Sequence, residues 1–287
     1  MTTQIVYLNG KFQPLEEARV PVLDRGFIFG DGVYEVIPVY SRRPFRLDAH
    51  LARLQDSLDG IQLANPLARP AWNTHIARLI AEAPWEDQGI YLQVTRGPAP
   101  RDHAFPAHVE PTVFLMPMPL TPPGATLVET GVAAITRPDN RWLRCDLKSV
   151  SLLANVLLRQ AAVEADCAET LLIRDGLLTE GSTSSVFAVL EGVLVAPPPS
   201  TLVLPGVTHD VVLELAAELG LPNTHRPIPE SELRLAEEIW LTSSTKEVLA
   251  VTRLDGTAVG DGRPGPVFRR MHAAYQRYKQ TTMRGTG

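Results

Sequence analysis

The chain has 287 residues, 45% of them apolar, with 27 basic against 32 acidic side chains and a formal net charge of −5. That length can bury a sizeable core divided between two domains, and an acidic chain lacks the basic patches that nucleic acid or an anionic membrane surface calls for. No apolar run approaches transmembrane length, Met1-Thr2-Thr3-Gln4 does not look like a secretion signal, and Cys145 and Cys167 have neither metal-ligand spacing nor the number for a disulfide framework, so a soluble cytoplasmic protein without a metal site is expected.

In chain order, the first third reads as strands with tight turns, then helices. Residues 4–8 and 11–15 flank Asn9-Gly10, a dipeptide suited to the left-handed backbone of a two-residue hairpin turn. Residues 33–40 alternate in polarity, turn at Ser41-Arg42-Arg43 and continue over 44–47. Asp48 reads as the N-cap of a helix whose apolar stripe is Leu51, Leu54 and Leu58 and which ends at Gly60. A second helix follows Pro70, with Ile76, Leu79 and Ile80 facing inward, and residues 89–97 and 111–118 are strands again. Pro117-Met118-Pro119-Leu120-Thr121-Pro122-Pro123-Gly124 then predicts an extended linker that joins neither ladder nor helix. Domains are accordingly expected at 1–118 and 125–287, with 119–124 between them.

Beyond that boundary, residues 125–135 read as a strand and 151–165 as a long apolar helix. Residues 169–174 pair with 177–180 around Asp175-Gly176, and 184–190 with 193–196 around Glu191-Gly192. A helix over 206–219, a strand over 238–241 and a last helix over 266–278 follow. Strands and helices mixed in two unequal blocks, with no Gly-x-Gly-x-x-Gly after a strand, indicate an α+β fold and not a doubly wound sheet.

Chemistry enters at Lys148. The other lysines are Lys11, Lys246 in a polar loop and Lys279 near the C-terminal tail, and arginine supplies nearly all remaining positive charge. Arginine neither deprotonates nor forms an imine, whereas a partly desolvated lysine does both. The plain alternative for Lys148 is a lysine snorkelling near a helix start. Further along, Glu180 ends a hairpin strand among small hydroxyl residues, where a carboxylate could hold a protonated heteroaromatic nitrogen; a turn glutamate in water is its plain alternative. Leu204-Pro205-Gly206-Val207-Thr208 opens a helix whose first amides suit a phosphate, and Ser243-Ser244-Thr245 offers further donors. Arg53 is one candidate fixed charge among many.

An imine-forming amine, an acid for a ring nitrogen and two donor clusters for a phosphate are what pyridoxal phosphate needs. The chain resembles the class IV (fold-type IV) pyridoxal-phosphate aminotransferases, most closely those acting on D-amino acids. The likeness runs from Asn9-Gly10 to Thr245 and rests on Asp24-Arg25-Gly26-Phe27, Phe29-Gly30-Asp31-Gly32-Val33-Tyr34-Glu35-Val36, Asp146-Leu147-Lys148-Ser149, Glu180-Gly181-Ser182 and Pro205-Gly206-Val207-Thr208. It implies a smaller N-terminal α/β domain and a larger C-terminal domain with a barrel-like mixed sheet. It implies that Lys148 bonds to the cofactor and moves the proton, that Glu180 pairs with the ring nitrogen and Leu204 packs on the ring, and that Arg53, Val207, Thr208, Ser243 and Ser244 bind the phosphate.

The stretch from Ile90 to His103, with its Arg-x-His, is similar to the D-amino acid aminotransferases in particular. There Arg101 and His103, with Tyr34, would trap the substrate carboxylate, and both would reach the site from the partner across a homodimer interface. The expected substrates are a D-amino acid such as D-alanine and a 2-oxo acid such as 2-oxoglutarate. (R)-selective amine transamination, branched-chain aminotransfer and aminodeoxychorismate lyase chemistry are the alternatives within the family. The chain departs from the family in carrying Ser185 where Asn is usual, and Pro205 and His209 where basic residues are common near the phosphate.

Overall fold

The computed structural model describes residues 4–108 and 110–285; Met1-Thr2-Thr3, on which the expectation about a secretion signal falls, lies outside the described residues. The chain forms two compact units, one of residues up to Thr121 with Leu147–Leu152, the other of Pro122–Asp146 and the remainder. Among the described residues no helix is long and apolar enough to cross a membrane.

The first unit is an antiparallel sheet in the order β2-β1-β6-β5-β3-β4, from β1 (Ile5–Leu8), β2 (Lys11–Pro14), β3 (Gly32–Tyr40), β4 (Arg43–Pro44), β5 (Gln88–Thr95) and β6 (Thr112–Pro119). Asn9 and Gly10 both take positive φ, as the hairpin between β1 and β2 requires. After the short α1 (Arg25–Phe29), helices α2 (Leu47–Gly60) and α3 (Arg69–Glu82) bury Leu51, Leu54, Leu58, Ile76 and Leu79 in one core with Val33, Ile37 and Leu92. Asp48 is not the N-cap of α2: the chain enters the helix through Arg46 in a left-handed conformation, and Asp48 sits exposed in the first turn, paired with Arg69. Gly60 lies inside the last turn of α2, because Leu147 packs where its side chain would be; a Cβ there would come within 2.3 Å of Leu147 Cδ2.

The proline run does not exclude a ladder. Pro117 and Pro119 lie in β6, opposite Ile90 and Gln88 of β5. Alternate residues of β6 face β1: Val113 exchanges hydrogen bonds with Asn9, while the β1 ladder stops at Leu115. Pro117 and Pro119 continue that row past the end of the ladder, so their missing N–H groups leave no partner unsatisfied.

The second unit holds β7 (Val132–Pro138), β8 (Glu169–Arg174), β9 (Leu177–Gly181), β10 (Ser185–Leu190), β11 (Val193–Ala196), β12 (Asn223–His225), β13 (Glu238–Ser243), β14 (Glu247–Leu254) and β15 (Thr257–Ala258). Their order is β12-β11-β10-β13-β14-β7-β8-β9, with β15 on β14, and β7 lies parallel to both its neighbours, so the sheet is mixed. Four strands separate β9 from β10 in that order, about 24 Å across a flat sheet. The chain from Gly181 to Ser185 spans at most about 14 Å, so the sheet must curl into the expected barrel-like form. Among the described residues of this unit, α4 (Ala125–Thr130), α5 (Leu153–Glu164), α6 (Val207–Glu218), α7 (Glu230–Leu233) and α8 (Pro266–Tyr278) are the α-helices, and a π-helical turn over Lys279–Met283 continues α8. Residues 125–130 are therefore helix and not the start of a strand. None of their side chains is buried, and Thr252 Oγ1 of β14 donates to Thr130 O at 3.1 Å at the end of the helix.

Candidate active site

In the first unit, the segment around Lys148 is fixed by backbone hydrogen bonds, not by the helix that follows it. Tyr34 N donates to Lys148 O at 2.9 Å, Val150 N donates to Gly32 O at 3.0 Å, and the two stretches form an antiparallel bridge at Val33 and Ser149. Ser57 Oγ of α2 accepts from Lys148 N at 3.1 Å. These contacts group Lys148 with β3, although it follows the proline boundary by more than twenty positions in sequence. Its half-buried amine lies 4.2 Å from the centre of the Tyr34 ring. Lys148 and Tyr34 are thus brought together as two neighbours on one short ladder.

Alternation along β3 turns the next residue, Glu35, into the core, where it is fully buried. Arg53 of α2 grips it with Nε at 2.7 Å and Nη2 at 2.8 Å, and His50 Nδ1 lies 2.8 Å away. Burial would push the Glu35 carboxyl up, but the Arg53 guanidinium and the hydrogen bonds from Arg53 and His50 outweigh it and hold it at about 2. Burial, helped by Arg53 and Lys148, lowers the His50 imidazole, against the pull of Glu35. His50 Nε2 is buried with no hydrogen-bond partner among the described residues. Arg53, expected at a phosphate, has two of its nitrogens committed to Glu35.

Arg101 and His103 are exposed and flank Phe29: the Arg101 guanidinium is 5.4 Å and the His103 ring 5.2 Å from its ring centre. Neither hydrogen-bonds or stacks with Tyr34 or Lys148 of the same chain. The backbone of their loop is held by Arg25, which donates to the carbonyls of Asp102, His103 and Ala104. Arg25 is itself paired with Asp31, as is Arg96. Asp24 caps α1 at Gly26 N and accepts from the hydroxyls of Thr95 and Thr112. The Asp24-Arg25-Gly26-Phe27 motif is therefore scaffolding that presents the Arg-x-His loop.

In the second unit, Glu180 is buried within β9, which overturns the picture of a turn glutamate in water. Arg141 donates to Oε1, and Leu204 N donates to Oε2 at 3.2 Å. Burial pushes the Glu180 carboxyl up, opposed by Arg141 and the Leu204 amide. Arg141 is shared with Asp139, which also takes Arg174, so Glu180 has only part of one guanidinium. Sequence reading missed Arg141, whose only signal was its place a few residues ahead of Lys148. Cys145 is buried, and that burial pushes its thiol up.

Helix α6 starts at Gly206, which offers no side-chain cap, so the amides of Val207 and Thr208 remain for a ligand or water. A Cβ at Gly206 would come within 2.8 Å of Ser185 Oγ, so the serine hydroxyl would have to turn aside for any larger residue. Ser185 thus packs against the start of the phosphate-type helix at the position where the chain departs from the family. His209 stacks on the buried Phe187 with ring centres 4.7 Å apart, so its half-buried ring is packed against the unit's own side chains. Ser243 ends β13 and Ser244 opens the turn to β14, and both are half-buried.

The residues present fit pyridoxal phosphate. There is one amine packed on an aromatic ring, one buried carboxylate whose Oε2 accepts only a backbone amide, and a set of amides and hydroxyls for a phosphate. The model of the class IV aminotransferase family matches residues 32–254. A D-alanine aminotransferase of Bacillus licheniformis is 42% identical over 271 residues, covering 94% of this chain and 95% of that protein. One from Staphylococcus epidermidis is 36% identical over 277 residues, covering 96% and 98%. Among solved structures, the branched-chain amino acid aminotransferase of Escherichia coli superposes with a TM-score of 0.86 at 25% identity, covering 96% of this chain and 94% of that one. A branched-chain enzyme from T.th., solved with pyridoxamine 5'-phosphate, superposes at 0.91, also at 25% identity, covering 100% and 96%. The chain belongs to the class IV aminotransferases, enzymes that transfer amino groups by means of pyridoxal phosphate.

Proposed function

We propose that the protein is a D-amino acid aminotransferase, moving the amino group of D-alanine to 2-oxoglutarate to give pyruvate and D-glutamate. The observation that carries this reading is the Arg101–His103 loop: its backbone is clamped by Arg25 while the Arg101 guanidinium and the His103 ring remain exposed to receive a carboxylate. The 42% identity to a D-alanine aminotransferase over 94% of the chain supports it, against 25% to the branched-chain enzymes.

When bound, pyridoxal phosphate supplies an aldehyde that condenses with amines and a ring that withdraws electrons. Lys148 would bond to it at rest and, once displaced by the substrate amine, carry the proton from the substrate Cα. Glu180 would accept a hydrogen bond from the ring nitrogen and keep it protonated, and Leu204, whose amide already holds Glu180, would lie against the ring. Val207 and Thr208 at the start of α6, with Ser243, Ser244 and Arg53, would bind the phosphate. Tyr34 would join Arg101 and His103 at the substrate carboxylate and so fix which face of the Cα is protonated.

Because Arg101 and His103 neither hydrogen-bond nor stack with Tyr34 or Lys148 of their own chain, we take them to act in the site of a second copy. An outward row of Leu153, Val156, Leu157 and Val163 on α5 supports a homodimer. Two free cysteines suit a cytoplasmic setting. Pyruvate release with 2-oxoglutarate tests the reading: D-alanine should react and L-alanine should not, and Lys148→Ala should abolish release. Equal rates with both enantiomers would overturn it.

A further inference from the structure

Lys246 lies in a polar loop, as the sequence reads, and its side chain is drawn into a dense polar cluster in the second unit. Its ammonium donates to Glu169 Oε2 at 2.8 Å, Thr183 Oγ1 at 2.5 Å and Ser184 Oγ at 2.8 Å, which uses all three of its protons. Glu169, fully buried on β8, also accepts from Thr170 N, Ser182 N and the hydroxyls of Ser182, Thr183 and Ser184. Burial alone would push the Glu169 carboxyl up, but Lys246 and the hydroxyl donors hold it at about 2. Thr183 and Ser184 belong to the turn that follows Gly181, the last residue of β9, one position beyond Glu180. Lys246 closes the turn that Ser244 opens after β13, and its own amide donates to Ser243 Oγ at 3.1 Å.

We propose that Lys246 is a positioning residue for the cofactor: through Glu169 it locks the Ser182–Ser184 turn behind Glu180 to the Ser243–Thr245 loop, so that the ring-nitrogen acid and the phosphate donors are held at a fixed spacing. The proposal rests on the reading of Glu180, Ser243 and Ser244 as cofactor-binding residues. A lone surface lysine would not need three acceptors, and a purely structural ion pair would not need to reach the turn beyond Glu180. The positive charge also stands close to the loop assigned to the phosphate, in a chain that has Pro205 and a stacked His209 where basic residues are common in its family.

The test is calorimetric binding of pyridoxamine phosphate to the cofactor-stripped enzyme, since this form has no aldehyde for Lys148 and its affinity reports the non-covalent contacts. Lys246→Met should weaken binding by about tenfold as the two loops lose their fixed spacing, and Lys246→Arg should restore part of it. The phosphorus resonance of the bound ligand should move towards its free position in Lys246→Met. If that variant fails to fold, Glu169→Gln/Lys246→Met, which removes the unpaired buried charge, should fold and show the same weakening. A lower melting temperature with unchanged affinity and resonance overturns the proposal. Should Ser244→Ala weaken binding while the Lys246 variants do not, the positioning role alone fails; if neither weakens it, the assignment of this loop to the phosphate fails and takes the proposal with it.

Discussion

Glu35 and Glu180 are both buried, and both meet an arginine, yet their carboxyls shift in opposite directions. Glu35 has a two-point grip from Arg53 and a third partner in His50, enough to overcome the loss of water. Glu180 shares Arg141 with Asp139 and has one backbone amide besides. The difference separates an anchor from a working group. A carboxylate whose oxygens are filled holds β3 and α2 together, whereas one left short of donors can take a proton-bearing ring nitrogen.

The sharpest way to break this comparison is to neutralise each acid in turn. Glu35→Gln leaves Arg53 buried without its counter-charge and should cost about 3–5 kcal/mol of stability in denaturant unfolding. Glu180→Gln should cost clearly less, because the charge it removes was poorly compensated and Asp139 still faces Arg141; equal losses would erase the distinction. Acid titration gives the next largest effect. With the folded carboxyl of Glu35 at about 2 and an ordinary value of 4.5, its contribution is fully present above the ordinary value and is lost as pH falls from there to about 2. About 3 kcal/mol should disappear across that window in the wild type and not in Glu35→Gln, as read from unfolding midpoints at each pH. Glu180 has the opposite sign: its raised carboxyl makes the folded state gain relative stability as pH falls through its own titration.

On activity, Glu180→Gln should retain the cofactor and lose turnover by about a hundredfold, the size of effect seen when one electrostatic partner of a reacting group is removed. Loss of cofactor in place of turnover would make Glu180 a mere binding contact. The smallest effect concerns the loop. Arg101→Ala should raise KM for D-alanine by about tenfold, with the cofactor absorption band unchanged, as expected for one lost charge-assisted contact to a carboxylate.

Local rules made much of the fold legible. Asn9-Gly10, Asp175-Gly176 and Glu191-Gly192 all carry positive φ at hairpin turns, and the stripes of α2 and α3 are buried as their spacing requires. Rules about single residue types failed where tertiary context decides. Pro117 and Pro119 enter a strand because the ladder beside them has already ended, and residues 125–130 form a helix although their sequence reads as the start of a strand. The candidate site divides in the same way. Lys148, Tyr34 and Glu180 stand out by residue type and motif, but Arg141, Arg25 and the Glu169–Lys246 cluster act through partners dozens of positions away, which no spacing along the chain encodes.

The central claim is that Lys148 is the amine to which the cofactor is bonded. Borohydride reduction of the holoenzyme, followed by peptide mapping, should find a single pyridoxyl-modified lysine at position 148. Modification of Lys246 or Lys279 instead, or of no lysine at all, would contradict it.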